Sequence, residues 1–312
     1  MHDPVIQTVR GPIPVSEAGL TLAHEHVLID AWAMTHSYDS ILDDEELATR
    51  ELLALAEAGG RTLVYCTSMG LGRDPQALER IAWASGINIV MGTGWYRAAF
   101  YPPAIRESSV EQLAEIMVVD LTEGVPGSGG IRAGFIGEIG TERGRIAAAE
   151  ERVFRAAALA QQRTGVSIWT HTTNAGDLAH EQVELLTGLG VPCERIVVSH
   201  VGDRITPGRL DAIAATGVFL SLDNIGYVGG GYPSDAVRAD HVARLVRAGH
   251  GDRVLISGDT CTRSALLAYG GAGYARVITG FLPRLRERGL EKAAIDALLV
   301  ANPARALGVE PT

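Results

Sequence analysis

A chain of 312 residues that is 46% hydrophobic and 21% charged has the material for one large core and excludes a disordered protein. A formal net charge of −10, from 37 acidic against 27 basic side chains, excludes the basic face that nucleic acid would need, so no nucleic-acid partner is expected. No apolar run approaches the ~20 residues of a membrane span, and no membrane partner is expected either. Cys66, Cys193 and Cys261 are odd in number and widely spaced, which fits free thiols in a reducing compartment, the cytoplasm by default. The opening MHDPVIQTVRG has neither the basic start nor the apolar segment of an export signal.

Residues 1–19 are expected to form a short extended lead-in, with turns at Gly11-Pro12 and Pro14. LTLAHEHVLID (20–30) then reads as a first buried strand. LDDEELATRELLALAEAGG (42–60) reads as a helix: Asp43 or Asp44 can cap it, and Gly59-Gly60 ends it. The pattern repeats. Strand-like runs at 61–68, 88–96, 133–140, 166–173, 195–203, 218–226 and 253–261 alternate with helical patterns at 75–86, 108–124, 146–165, 177–190, 207–217, 234–251 and near Gly273 to Gly289. A last helical pattern, starting at 290 with LEKAAIDALLVANPARAL, closes the chain. The strands are short and almost continuously apolar, as in a parallel sheet buried on both faces. About eight strand–helix units without a linker predict an α/β fold, a single-domain (β/α)8 TIM barrel over 1–312. No G-x-G-x-x-G follows the first strand, so a dinucleotide fold has no support.

Chemistry in such a barrel gathers at the C-terminal strand ends. Those ends carry His24 and His26 on strand one, Glu138 on strand four, His171 on strand five, His200 on strand six and Asp259 on strand eight. In a strand, His24 and His26 face one side and Glu25 the other. A lone strand histidine is commonly a hydrogen-bonded core residue, and Glu138 or Asp259 alone could cap a helix. Four imidazoles and two carboxylates converging on one mouth instead suit two divalent cations such as Zn²⁺, Mn²⁺ or Co²⁺.

The motifs GLTLAHEH (19–26), GEIGTE (137–142), THTT (170–173), VSHVGD (198–203), SGDT (257–260) and NPARALG (302–308) occur in that order across nearly the whole chain. With them the sequence resembles the phosphotriesterase family of the amidohydrolase superfamily. That resemblance implies a binuclear metal centre at the barrel mouth. It places His24, His26 and Asp259 on the more buried metal and His171 and His200 on the more exposed one, joined by a bridging carboxylate and a bridging hydroxide. The best-known members bridge with a carboxylated lysine on strand four. Here Glu138 holds that place, and the single lysine, Lys292, lies in the terminal helical pattern. The resemblance therefore implies the subset of the family that bridges with a glutamate.

Two cations sharing a water lower its pKa toward neutrality, and Asp259 would take the proton during attack. An ester, lactone, amide or phosphoester could be cleaved this way. The leading expectation is a carboxylic ester, a lactone above all, with phosphotriester or phosphodiester hydrolysis as the alternative and a non-catalytic binding barrel as the lesser one.

Specificity is expected in the mouth loops, with Trp95, Tyr96 and Arg263 as the substrate-binding candidates. GWYRAAFYPP (94–103) also offers Arg97 and Tyr101. IGYVGGGYPSD (225–235) reads as a glycine-rich lid, and TCTRSALLAYGGAGY (260–274) places Arg263 to pair with a carboxylate or phosphate. Loop seven lacks the lysine that relatives acting on phosphorylated lactones carry, which favours an uncharged or carboxylate-bearing small molecule. Relatives often form dimers through mouth-side loops, and the aromatic loop after strand three is the candidate surface for a homodimer. His36, His180, His241 and His250 are expected in solvent, Cys66 and Cys193 as buried or incidental thiols, and Trp83 and Trp169 in the core.

Overall fold

The computed structural model describes residues 3–173, 177–203 and 206–310; the expected 1–312 span includes positions 1, 2, 311 and 312, which lie outside them. Eight strands form one sheet in chain order: β1 (Thr21–Glu25), β2 (Thr62–Tyr65), β3 (Asn88–Thr93), β4 (Phe135–Gly140), β5 (Ile168–His171), β6 (Ile196–Val198), β7 (Phe219–Leu222) and β8 (Val254–Ile256). Every paired neighbour is parallel. The ends of the sheet meet just beyond β1 and β8, where Asp259 N–H donates to the His24 carbonyl (3.0 Å) and His26 N–H to that of Thr260 (3.2 Å). The barrel closes at the residues expected to carry the chemistry.

Each strand contributes one side chain to a buried inner layer: Ala23, Val64, Val90, Phe135, Trp169, Val197, Phe219 and Leu255. Two residues further along, where strand alternation again faces inward, stand small residues: Cys66, Gly92, Gly137, Ser199, Ser221 and Ser257. The layer below fills the barrel, and the small layer above leaves room for imidazoles. The other strand face, with Leu22, Leu63, Ile89, Ile136 and Ile168, packs against the helices.

The helices follow their sequence signals. α1 (Glu45–Glu57) is capped by Asp44, whose carboxylate accepts the Leu47 N–H at 2.9 Å. α2 (Pro75–Ser85) starts on proline after the Asp74 cap and stops at Gly86, φ +74°. α3 (Val110–Thr122) opens with a Ser109/Gln112 capping box. α4 (Ala148–Thr164), α5 (Ala179–Gly188), α6 (Pro207–Ala214) and α7 (Asp235–Arg247) complete the repeating outer layer.

Several expectations need correction. The lead-in is an antiparallel pair, Val5–Thr8 with Gly11–Pro14, and it brings Ile6 into the inner cluster beside Leu307. The last helix runs through 292–307 as expected, but it widens into a π-type turn at Ala297–Ala301. Trp83 is 67% exposed, on the outer face of α2, with the Arg10 guanidinium 4.9 Å above its ring. Trp169 is buried as expected, whereas His241 is buried too, not solvated, on the inner face of α7. In loop three, Trp95 and Tyr101 are committed to this chain's own core, which takes them out of any surface patch. No helix among the described residues is long and apolar enough to cross a membrane.

Candidate metal centre

Two irregularities in the sheet aim the first candidate ligands. β1 shifts register against β2 between Leu22 and Glu25, and β4 shifts against β5 between Ile136 and Ile139. Such bulges re-aim side chains, and the two segments hold His24 and Glu138. Beyond the strand ends, His200 (φ +64°), Asn224 (φ +60°) and Asp259 (φ +51°) occupy left-handed backbone, which L-residues adopt at a cost of about 1–3 kcal/mol each.

All six expected ligands converge. His24, His26 and Asp259 form one group whose donor atoms lie within 4.8 Å of one another, and His24, Glu138 and His200 form another. His171 joins through Nδ1, 3.1 Å from Glu138 Oε2 and 2.8 Å from His200 Nε2. All six are buried.

Hydrogen bonds behind the rings decide which nitrogen faces inward. Thr67 donates its hydroxyl proton to the Leu28 carbonyl (3.0 Å), so His26 Nδ1–H donates to Thr67 Oγ1 (2.8 Å). That leaves His26 Nε2 facing Asp259 Oδ1 at 3.1 Å. A lone pair and a carboxylate so close need a proton or a cation between them. Asp223 accepts from His200 Nδ1 at 2.8 Å and from the His200 backbone N–H at 3.2 Å. His24 Nδ1 meets Ser199 Oγ at 3.1 Å, while its Nε2, 3.5 Å from Glu138 and 3.6 Å from Asp259, is buried with no hydrogen-bond partner. An orphaned buried nitrogen among two carboxylates and three further imidazoles is the donor set of a divalent cation. The residues present fit the metal pair.

Charge is tuned accordingly. Burial opposes ionisation of Glu138, yet His24 and His171 hold its carboxyl well below the usual range. Burial likewise opposes charge on His200, but Asp223 lifts it to about 10. Burial dominates at His171, which falls to about 4.

The group lies on a cavity of about 470 Å³, lined by Tyr96, Arg97, Tyr227, Tyr232, Ile29 and Met34 among others. Tyr96 is on its wall as expected, with its hydroxyl 3.0 Å from His171 Nε2. Trp95 is not; it is 3% exposed in the strand–helix core. Arg263 is also elsewhere, held by the Ile41 carbonyl (2.7 Å) and Asp43 (3.0 Å) of the Ile29–Asp30/Ile41–Leu42 hairpin. Both expectations fail because side-chain direction in a loop depends on what packs behind it.

Supporting residues escaped the sequence reading. Glu25, fully buried, accepts from Ser257 Oγ (2.7 Å), Gly258 N (2.6 Å) and Thr260 N (2.7 Å), and so holds the segment that carries Asp259. A Cβ on Gly258 would stand 3.0 Å from Glu25 Oε1 and 2.9 Å from Arg276 Nη2, so only glycine permits this approach. Behind His200, Asn224 donates to Asp203 (2.9 Å), which accepts from the buried Arg238 (2.9 Å). The available signal was a carboxylate inside an apolar run, which burial obliges to find partners.

Residues 4–307 match the family model described as the phosphotriesterase family. The chain belongs to that family. It is 36% identical to the phosphotriesterase homology protein of Escherichia coli over 92% of this chain and 97% of that one. A crystal structure of the E. coli protein, complexed with phosphate in its active site, aligns over 93% of this chain and 98% of that one, with a TM-score of 0.88. N-acetyltaurine hydrolase of Xenopus tropicalis is 30% identical, covering 96% of each chain. A lactonase from Listeria monocytogenes is 28% identical, covering 97% of this chain and 98% of that one, with a TM-score of 0.89. This phosphotriesterase-family chain is thus a metal-dependent hydrolase on a TIM barrel, as its motifs implied.

Proposed function

We propose that this hydrolase cleaves a carboxylic acyl bond, a lactone, other ester or amide, in a small molecule, working as a single catalytic unit. One observation carries the reading: His24 Nε2 lies unpartnered where the two donor groups overlap, at a cavity of about 470 Å³. On this reading His24, His26 and Asp259 would hold one cation and His171 and His200 the other, with Glu138 serving both in place of a modified lysine. Bound divalent cations supply Lewis acidity and bring a water's pKa close to neutral. Thr67, Ser199 and Asp223 keep the imidazoles turned inward. Asp259 accepts the proton as the O–H bond of water breaks and a C–O bond forms at the acyl carbon. It passes that proton to the departing alkoxide or amine as the acyl bond breaks. Tyr96, hydrogen-bonded to His171, orients that ring and lines the acyl group's path.

The names of the lactonase and N-acetyltaurine hydrolase relatives support acyl chemistry, and the second of them brings an amide into the range. The phosphate in the E. coli relative supports the rival, phosphoester hydrolysis. The test is a panel of lactones, esters, N-acyl amines and phosphotriesters, with protein stripped of metal and then reloaded with Zn²⁺, Mn²⁺ or Co²⁺. The reading expects acyl turnover that vanishes on stripping and returns on loading. Equal acyl turnover by stripped and loaded protein, or turnover of phosphotriesters alone, defeats it.

A further inference from the structure

We infer that Arg97 is the substrate-binding cation of this site, and that the preferred acyl substrate carries a short anionic arm ending in a carboxylate or sulfonate. This rests on the acyl-hydrolase reading and adds the substrate class. Among the described residues, Arg97 is the charged side chain on the cavity wall that is not one of the six metal-ligand candidates. Its stem lies over the end of β4, two residues past Glu138: a Cβ on Gly140 would meet Arg97 Cγ at 3.2 Å. Its guanidinium lies 4.7 Å above the Tyr96 ring, and that ring in turn lies 4.5 Å from His171. The cation and the metal ligands are therefore separated by a single aromatic ring.

The guanidinium is incompletely used. Nη1 donates to Glu142 (3.0 Å), Nη2 reaches only the Met34 sulfur (3.6 Å), a weak acceptor, and Nε is buried without a partner. Glu142 is 39% exposed, so water screens its charge at the rim, while Arg97 is 18% exposed and turned to the cavity wall. Stacking on Tyr96 and on Phe100 (5.1 Å) fixes the plane of the fork. The backbone is fixed too, because Glu150 accepts the Ala98 and Glu142 N–H groups together. A pre-positioned fork with a spare donor recognises a planar or tripodal oxyanion. Arg263, the sequence-level candidate for this role, spends its donors on Ile41 and Asp43.

The test uses metal-loaded enzyme, with wild type compared to Arg97→Met and Arg97→Lys. Substrates are N-acetyl-β-alanine, N-acetyltaurine and the uncharged methylamide of N-acetyl-β-alanine, together with a lactone bearing a carboxymethyl arm and its methyl ester. The readout is the anionic-to-neutral ratio of kcat/KM within each variant, which does not depend on the fraction folded. Wild type should favour the anion by about 10- to 100-fold, the worth of a charge-assisted pair. Arg97→Met should bring the ratio near one, mainly through KM, and Arg97→Lys should lie between. A ratio that is the same in wild type and Arg97→Met overturns the proposal. Calorimetry with ethanesulfonate, which is not hydrolysed, should show binding at least about tenfold weaker in Arg97→Met; equal binding overturns it. If no acyl compound turns over while ethanesulfonate still depends on Arg97, the acyl reading falls and the anion site stands. If anionic and neutral acyl compounds both turn over and neither their ratio nor ethanesulfonate binding depends on Arg97, the acyl reading stands and this inference falls.

Discussion

The carboxylate of Glu25 accepts the backbone N–H of Thr260 at 2.7 Å, from a strand 235 residues earlier in the chain. Its other oxygen holds Ser257 and Gly258, so the residues flanking Asp259 are pinned by the side chain that lies between the two first histidines. Glu25 thus positions a candidate metal ligand, Asp259, that it does not touch. Glu25→Gln should lower metal affinity about 10- to 100-fold, the usual range for a group supporting a ligand. A chelator competition titration reads this directly, and an affinity within threefold of wild type would refute the positioning role.

His24 belongs to both donor groups, and His171 to neither. His24→Ala should therefore empty the centre, whereas His171→Ala should leave about one cation of the pair bound. Metal-to-protein ratios by elemental analysis after gel filtration distinguish the two. Equal loss in both variants would show that the ligands do not divide in this way.

His200 gives the site a proton to exchange. Burial would lower its pKa, but Asp223 raises it to about 10, so at pH 7 to 8 the metal-free ring is charged and must lose a proton to become a ligand. Metal uptake should acidify a weakly buffered solution, and affinity should climb with pH until about 10. Asp223→Asn removes the raising charge and should reduce both the proton release and the pH slope. A stopped-flow trace with a pH indicator provides the measurement.

Away from the mouth, His241 is held below its ordinary pKa, first by burial and then by the Arg244 charge. The folded state therefore binds this proton less readily than the unfolded chain does. Stability contributed by the neutral ring is complete above about pH 6.5 and declines as pH falls below it. His241→Gln should flatten the dependence of the denaturant midpoint on pH between about 7 and 5, and an unchanged slope would locate the effect elsewhere.

Alternation of apolar runs and caps was enough to find all eight strands and most of the helices, because both periodicities follow from backbone geometry within a few residues. Asp44 and Gly86 mark their helix ends as local rules require. What failed was positional. Trp83 fits the apolar pattern of α2 yet points outward, and its pairing with Arg10 lies beyond any short window. The widening of the last helix into a π-type turn at Ala297–Ala301 has no local composition signal.

The site divides along the same line. The candidate ligand types were legible because histidines and carboxylates at apolar strand ends are expensive to bury without a partner, and six of them fall at strand ends. Chain order alone could not rank the supporting groups: Glu25 serves Asp259, and Asp223 serves His200, only once the barrel closes. The two arginines show this most plainly. Arg97 and Arg263 are equally good anion partners on paper, but contacts across 45 residues to Glu142 and 220 residues to Asp43 set where each one goes. Residue chemistry and periodicity are properties of short stretches and are written in the sequence. Which side chain faces the cavity is a property of loops meeting across a closed sheet, so it is decided only when the whole barrel has formed.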